Sequence, residues 1–208
     1  MKKVAELLLD IGAVSLSPKE PFVWASGIKS PIYCDNRLLL SYPKERKIVE
    51  EGLIQLVKEK YPEVEGILGT ATAGIPHASI MAWEMDLPTG FIRSKAKDHG
   101  KGKQIEGDFQ KGQKVVVIED LFSTGGSSIE AAKAAREAGL EVLGVVSIFT
   151  YAMDSCKENF KEAGFSHESL SDFPTLVELA LEKGILSQEE VKRLDQWRKN
   201  PKDESWCS

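Results

Sequence analysis

One stretch of the chain decides its fold: Val115-Val116-Val117-Ile118-Glu119-Asp120-Leu121-Phe122-Ser123-Thr124-Gly125-Gly126-Ser127-Ser128. The four apolar residues at its start are typical of a parallel strand that is buried on both faces. Two adjacent acids follow, the acidic pair Glu119 and Asp120, and small polar residues then lead into a helix predicted over residues 129–138. Ligands bind where such strands end in an open α/β sheet. The stretch therefore predicts a buried strand with a binding site at its carboxyl end.

On both sides of this stretch, segments with strand-like and helix-like apolar patterns alternate. Strands are predicted at residues 32–34, 66–69, 89–92, 114–118 and 142–149, and helices at 4–11, 44–58, 75–85 and 129–138. Beyond residue 150 the pattern predicts only helices, two of which start at capping boxes formed by Thr175 with Glu178 and by Ser187 with Glu190. This alternation predicts an α/β fold with a central parallel sheet flanked by helices, in a single domain over residues 1–208.

Composition limits the possible partners. The chain has 208 residues, 42% of them hydrophobic, and a formal net charge of −5. This balance favours a compact domain over a disordered chain, and the negative charge disfavours binding to nucleic acid or to an anionic membrane. Apolar runs fall short of the roughly 20 residues of a membrane span. Three widely spaced cysteines suit a reducing compartment, so we expect a cytoplasmic protein.

The loop after the acidic pair has the chemistry of a phosphate site. Residues 124–128 offer hydroxyl groups and approachable backbone N–H groups at the start of a helix, whose dipole favours an anion. The pattern matches neither a Walker A loop nor a dinucleotide fingerprint. Because Glu119 and Asp120 would repel a phosphate, we expect them to face a sugar diol, directly or through Mg²⁺. The alternative is a strand end with acidic turn residues and a helix cap.

Three further segments contain candidate binding residues. The basic segment, residues 93–107, has five cations and one acid between Arg93 and Lys103, a local charge of +4, together with glycines. Such a segment is predicted to be a mobile loop that closes over a polyanion, or alternatively a solvated charged surface. Residues 69–76 are mostly small and allow close approach of a second phosphate. Aromatic residues between 22 and 33 suit a flat base or the protein core.

Residues 117–128 resemble the signature of type I phosphoribosyltransferases, which use phosphoribosyl diphosphate (PRPP). The resemblance implies ribose contacts for Glu119 and Asp120 and 5-phosphate contacts for the loop that follows. With the basic segment, it implies that PRPP is bound by Arg93, Lys97, His99, Glu119, Asp120, Leu121, Phe122, Ser123, Thr124, Gly125, Gly126 and Ser127. It also identifies Thr72, Ala73 and Gly74 as the pyrophosphate loop. Mg²⁺ is expected to enter with PRPP rather than through a protein metal site.

Two segments resemble the orotate phosphoribosyltransferase branch of this family. Arg93-x-x-x-Lys97-x-His99-Gly100 is similar to that branch's flexible loop, which implies a homodimer in which residues 93–107 reach the neighbouring subunit's site. The resemblance implies Lys97, His99 and Asp120 as catalytic residues. Residues 24–33 resemble its N-terminal hood, formed here by residues 1–40, and imply that Tyr33, Lys29 and Ser123 bind orotate.

The chain departs from that branch at several positions. Ser94, Ala73 and Ala25 stand where many members have lysine, and residues 149–151 are Phe-Thr-Tyr where many have an arginine that pairs with the orotate carboxylate. The implied reaction joins orotate to PRPP and releases pyrophosphate. Alternatives are a purine-base phosphoribosyltransferase and a non-catalytic sensor of PRPP or nucleotides.

Overall fold

The N-terminal elements form two small antiparallel strand pairs beside the first helix. The computed structural model describes residues 1–24, 27–94 and 104–207. The elements are α1 (Lys2–Asp10), β1 (Val14–Leu16), β2 (Phe22–Val23), β3 (Lys29–Ser30), β4 (Ile32–Cys34) and a 3-10 helix (Asn36–Ser41). Strand β1 pairs with β4, and β2 pairs with β3. Short two-stranded pairs have little stability alone, so they depend on the packing described below.

A six-stranded sheet forms the centre of the protein. In chain order its strands are β5 (Gly66–Thr70), β6 (Thr89–Ile92), β7 (Ile105–Glu106), β8 (Lys114–Phe122), β9 (Glu141–Thr150) and β10 (His167–Asp172). They lie side by side in the order β10-β9-β8-β5-β6-β7. All neighbours are parallel except β6 and β7. The mostly parallel sheet confirms the predicted α/β class, and its carboxyl edge is where loops from neighbouring strands meet.

Further helices flank the sheet. They are α2 (Pro43–Lys60), α3 (Gly74–Met85), α4 (Gly126–Glu137), α5 (Asp154–Ala163), α6 (Phe173–Glu182) and α7 (Gln188–Lys199). Helices α2 and α3 pack on each other and on the sheet, α4 packs on α5 and on the sheet, and α1 packs on α6. The core contains the fully buried strand residues 115–118 and 145–146. None of the helices in the described part of the chain is long and apolar enough to cross a membrane.

Three local predictions were wrong. Strand β8 extends four residues beyond Ile118, because Glu119, Leu121 and Phe122 continue the pairing with β9. The region after residue 150 is not purely helical, since β10 adds a parallel strand beside β9. Helix α6 begins at Phe173, and its cap is the Asp172 carboxylate, which accepts a hydrogen bond from the Thr175 N–H. The capping box of Ser187 and Glu190 is confirmed.

Candidate active site

The acidic pair lies near the end of strand β8, and its two side chains have different environments. Glu119 is only 8% exposed, whereas Asp120 is half-buried. One Glu119 oxygen accepts a hydrogen bond from the Asp120 N–H at 3.0 Å. The other accepts one from the Ser128 hydroxyl at 3.1 Å. Ser128 was expected in the phosphate cradle, but it is fully buried, so its hydroxyl supports Glu119 instead.

Burial controls the charge of Glu119. Loss of water around the carboxyl group, followed by the effect of the neighbouring Asp120 carboxylate, raises the pKa of Glu119 from its ordinary 4.5 to about 8. Glu119 is therefore mostly protonated at neutral pH. The same edge contains Cys34 and Tyr151, and burial raises the pKa of both groups, so they are neutral there.

The phosphate loop (residues 124–127) joins β8 to helix α4. The helix starts at Gly126 with Gly125 as its N-cap, and no side chain caps it. Its first N–H groups are therefore available to an anion. Asn159 of α5 holds the loop by donating a hydrogen bond to the Thr124 carbonyl at 2.9 Å. Thr124, Gly126 and Ser127 are exposed, so a phosphate can reach them.

We expect alanine to be harmful at Gly125 and tolerated at Gly126. Gly125 has φ +78°, and a Cβ there would lie 2.7 Å from the Phe160 ring. Strain and overlap together should lower the free energy of unfolding by about 2–3 kcal/mol and weaken phosphate binding. A Cβ at Gly126 meets nothing closer than 3.9 Å. Denaturant unfolding and titration with inorganic phosphate measure both effects, and equal behaviour of the two variants would contradict the prediction.

The small-residue loop, residues 71–74, lies next to the phosphate loop because β5 and β8 are neighbours. The Thr70 hydroxyl donates a hydrogen bond to the Ile118 carbonyl at 3.2 Å. Gly74 packs so closely on that carbonyl that a Cβ would overlap it. Thr72 is exposed, Ala73 is half-buried, and the Ala71–Thr72 peptide is cis. Only glycine fits at position 74, so this predicted pyrophosphate loop is held against the strand that bears the acidic pair.

The basic segment starts on the next strand of the sheet. The Ala71 N–H donates to the carbonyl of Ile92 at 2.9 Å, which brings the end of β6 to the same edge. Arg93 follows, and its backbone N–H donates to the Gln104 carbonyl at 2.9 Å. Its guanidinium lies 3.2 Å from a Glu106 carboxylate oxygen. The segment was predicted as one loop, but residues 105–106 form β7. Lys97 and His99 lie outside the described residues.

The hood contacts the acidic pair directly. Asn36 is fully buried, and its side-chain amide donates a hydrogen bond to the Asp120 carbonyl at 2.7 Å. Tyr33 is 45% exposed, with its ring centroid 5.7 Å from that of Phe22. Trp24 stacks on Tyr151 with ring centroids 5.4 Å apart. Thus Tyr33 is accessible to a flat ligand, while Trp24 belongs to the packing.

The C-terminal segment holds the hood in place. The Trp197 indole donates a hydrogen bond to the Lys29 carbonyl at 3.1 Å and meets the Trp24 ring edge-on. The Lys29 ammonium lies 2.7 Å from a carboxylate oxygen of Glu204. Both the backbone and the side chain of Lys29 are therefore held by the C-terminal segment. Nothing in the local pattern of either segment indicated this contact.

The structure also qualifies other predicted site residues. Phe122 is fully buried against Phe160, with ring centroids 5.1 Å apart, and its carbonyl accepts a hydrogen bond from the Tyr151 N–H, so this residue belongs to the core. Leu121 and Ser123 are half-buried at the site edge. Sequence reasoning missed Asn36 and Asn159, which bind backbone carbonyls of the acidic pair and of the phosphate loop. The only indication in the sequence was that each is an uncharged amide residue among neighbours that are mostly apolar or charged.

Comparison with known proteins gives the family. Residues 39–171 match the model of the phosphoribosyl transferase domain. A Bacillus cereus protein named orotate phosphoribosyltransferase is 60% identical over 207 residues, covering 100% of this chain and 99% of that protein. The similarity therefore extends past residue 150, beyond the last of the family motifs identified in the sequence.

Solved structures agree with this result. The orotate phosphoribosyltransferase of Aeropyrum pernix superposes with a TM-score of 0.77 at 28% identity, over 88% of this chain and 99% of that one. The UMP synthase of Leishmania donovani gives a TM-score of 0.77 at 30% identity, over 94% of this chain and 42% of that one. On the full-length identity, the family match and the shared fold, this chain belongs to the orotate phosphoribosyltransferases of the phosphoribosyltransferase family.

Proposed function

We propose that this protein transfers the phosphoribosyl group of PRPP to orotate, giving orotidine 5-monophosphate and pyrophosphate in pyrimidine biosynthesis. The observation that carries the proposal is the meeting of four separate segments at one sheet edge. The acidic pair, the phosphate loop and the small-residue loop lie on neighbouring strands, and Asn36 of the hood binds the Asp120 carbonyl. This arrangement suits a ligand with a phosphate, a diol and a flat base.

Each segment takes one part of the substrates. Glu119 and Asp120 hold the ribose hydroxyls, and residues 124–127 hold the 5-phosphate. Thr72, Ala73 and Gly74, together with Arg93, Lys97 and His99, bind the pyrophosphate. Orotate lies under the hood (residues 1–40), against Tyr33, with Ser123 and Lys29 as polar partners. For Lys29 this requires exchange of the Glu204 carboxylate for the substrate, since the two now lie 2.7 Å apart.

Catalysis then depends mainly on position and charge. The bond between ribose C1 and the pyrophosphate oxygen breaks, positive charge develops on the ribose, and an orotate nitrogen bonds to C1. The Asp120 carboxylate stabilises that charge, as does Glu119 once it ionises beside the positive ribose, and the cations of the basic segment stabilise the departing pyrophosphate. The charge of orotate lies on its carboxylate, so the ring nitrogen that bonds to C1 still has to lose its proton. The released pyrophosphate, which gains negative charge as its bond to C1 breaks, accepts that proton, so the reaction needs no dedicated general base.

The acidic pair also fits Mg²⁺ that enters with PRPP. Mg²⁺ is commonly bound through one or two carboxylates together with substrate phosphates. Asp120 is half-buried and Glu119 lies beside it, whereas the described residues contain no group of three or more side chains suited to a protein metal site. Bound with PRPP, the ion would neutralise pyrophosphate charge.

The active unit is proposed to be a cytoplasmic homodimer. The 3-10 helix and α3 both pack on α2. Leu38 and Leu40 of the 3-10 helix, Tyr42 at the start of α2 and Trp83 of α3 are exposed, Trp83 by 85%. Exposed apolar patches of this kind mark protein interfaces. We propose that a second copy of the chain binds this surface and that residues 93–107 of each chain act at the neighbouring subunit's site.

Loss of orotate absorbance in the presence of PRPP and Mg²⁺ tests the activity. We expect turnover that requires all three components, and no turnover with adenine, guanine or hypoxanthine. Turnover with a purine base but not with orotate would favour the purine alternative. Binding of PRPP without turnover of any base would favour the sensor.

A further inference from the structure

The orotate carboxylate needs a cation that residues 149–151 do not supply. Phe149 is fully buried and Tyr151 is stacked on Trp24. The Thr150 hydroxyl contacts the Phe122 carbonyl and the Ala152 N–H. The cation must therefore come from another element of the fold.

Chemistry limits where that cation lies. The carboxylate of orotate is on the ring carbon next to the nitrogen that bonds to ribose C1. It therefore lies close to the ribose, and so close to the acidic pair that holds the ribose. An unpaired carboxylate beside Asp120 would be repelled, because like charges at short range raise each other's energy. A cation within reach of both Asp120 and the base is required.

Arg37 is in that place. It is the second residue of the 3-10 helix, directly after Asn36, whose amide lies 2.7 Å from the Asp120 carbonyl. The pKa of Arg37 is raised, mainly by the Asp35 carboxylate and more weakly by Tyr33 and Asp120, which places both within electrostatic range of the guanidinium. Arg37 thus lies near the candidate stacking residue and near the ribose acid.

The guanidinium is oriented for a second carboxylate. Its Nε and Nη2 contact the two Asp35 oxygens at 2.6 and 2.8 Å. In the described residues, Nη1 has no hydrogen-bond partner, so a second edge of the guanidinium stays open as a two-point donor for a carboxylate. The side chain is 66% exposed, so a ligand can reach it.

Other cations near this edge have different positions. Lys29 pairs with Glu204, and Arg93 pairs with Glu106. Arg198 donates a hydrogen bond to the Ala152 carbonyl at 2.8 Å, but it lines the groove between α6 and α7. Its guanidinium therefore belongs to the C-terminal packing. Compared with these three cations, Arg37 combines an open donor edge with proximity to Asp120.

We propose that Arg37 binds the carboxylate of the pyrimidine base and gives the site its preference for a carboxylated base over uracil. The assignment rests on the proposed function, because it names the group that recognises the substrate. Asp35 acts as a positioning residue by fixing the plane of the guanidinium, and Asn36 fixes the backbone beside Asp120.

Binding of two product nucleotides tests this assignment without requiring turnover. Orotidine 5-monophosphate and UMP share the ribose phosphate and differ only in the carboxylate. By calorimetry, we expect the wild-type protein to bind the carboxylated nucleotide more tightly by about 10- to 100-fold. Arg37→Gln should remove that preference and leave UMP affinity within about twofold. Arg37→Lys keeps the positive charge but lacks the planar pair of N–H donors, so it should recover part of the preference for the carboxylated nucleotide.

The control is Lys47→Gln, which removes an exposed cation from the nearby helix α2 and should change neither affinity. Thermal unfolding of each variant checks that the hood stays folded. Equal losses for both nucleotides in Arg37→Gln, or no loss for either, would overturn the assignment. A wild-type protein that binds neither nucleotide would overturn the proposed function instead, and with it this deduction.

Discussion

Replacing Glu119 with glutamine is expected to remove most of the activity and to stabilise the protein in the absence of substrates. Glutamine keeps the shape of the protonated carboxyl group and can retain the contacts with the Asp120 N–H and with Ser128. It cannot become the carboxylate that stabilises charge on the ribose. We expect kcat/KM for PRPP to fall about 100-fold.

The stability change should depend on pH. The Glu119 pKa is about 8 in the folded protein against an ordinary 4.5, so the folded state binds the proton more tightly. The protonated Glu119 therefore makes its full contribution to the free energy of unfolding of the wild-type protein below pH 4.5. This contribution is lost as the pH rises towards 8. Glutamine does not titrate, so Glu119→Gln does not lose stability in this way. The difference in free energy of unfolding between the variant and the wild-type protein should therefore grow over that pH range to about 2–4 kcal/mol and then stay level.

Denaturant unfolding at about pH 5, 7 and 9, without substrates, measures this difference. Glu141→Gln, an exposed change at the start of β9, is the matched control and should give no such trend. A Glu119→Gln advantage that is the same at the lowest and the highest pH would mean that the buried carboxyl group is ionised throughout.

Two inactive variants should restore activity when mixed, if the basic segment acts across the dimer. Lys97→Ala removes a cation proposed to stabilise pyrophosphate, and Asp120→Asn removes a ribose acid. Each alone should lower kcat by about 10²–10³-fold. In a hybrid dimer, the chain with intact Asp120 receives Lys97 from its partner. Random assortment then gives up to about a quarter of the wild-type rate.

The variants should be mixed under conditions that let dimers exchange, and orotate turnover followed with time. The control pairs Asp120→Asn with the double variant Lys97→Ala, Asp120→Asn, which cannot form an intact site in either arrangement. Recovery in the first mixture and none in the control supports the shared site. No recovery in either mixture, with exchange verified by sizing of tagged chains, would place Lys97 in its own subunit's site.

Local sequence patterns predicted a strand or helix correctly where that element depends mainly on its own residues. The apolar run 115–118 predicted a buried strand, and all four residues are fully buried. The strand at 89–92 has its predicted bounds, and the helix predicted over residues 129–138 is present as α4 but starts three residues earlier, at Gly126. These elements are predictable because strand and helix periodicities arise from the backbone geometry of neighbouring residues.

Local patterns were a poor guide to strand limits and to the C-terminal region. Strand β8 continues through the acidic pair because β9 offers partners, such as Ser147 opposite Glu119. Strand β10 has the polar sequence His-Glu-Ser-Leu-Ser-Asp and owes its conformation to pairing with β9. In both cases a strand about 20 or more residues away in the chain decides the outcome, so tertiary pairing overrides local propensity.

The fold class, the family, the acidic pair and the phosphate loop could all be read from the chain, because each depends on residues that are adjacent in it. Three contacts that support the site became visible only in the folded protein: Ser128 with Glu119, Asn36 with the Asp120 carbonyl, and Trp197 with Lys29. The last two contacts join residues 84 and 168 positions apart. Hydrogen bonds over such separations exist only once the sheet and hood have packed, and they leave no periodic signal in the chain.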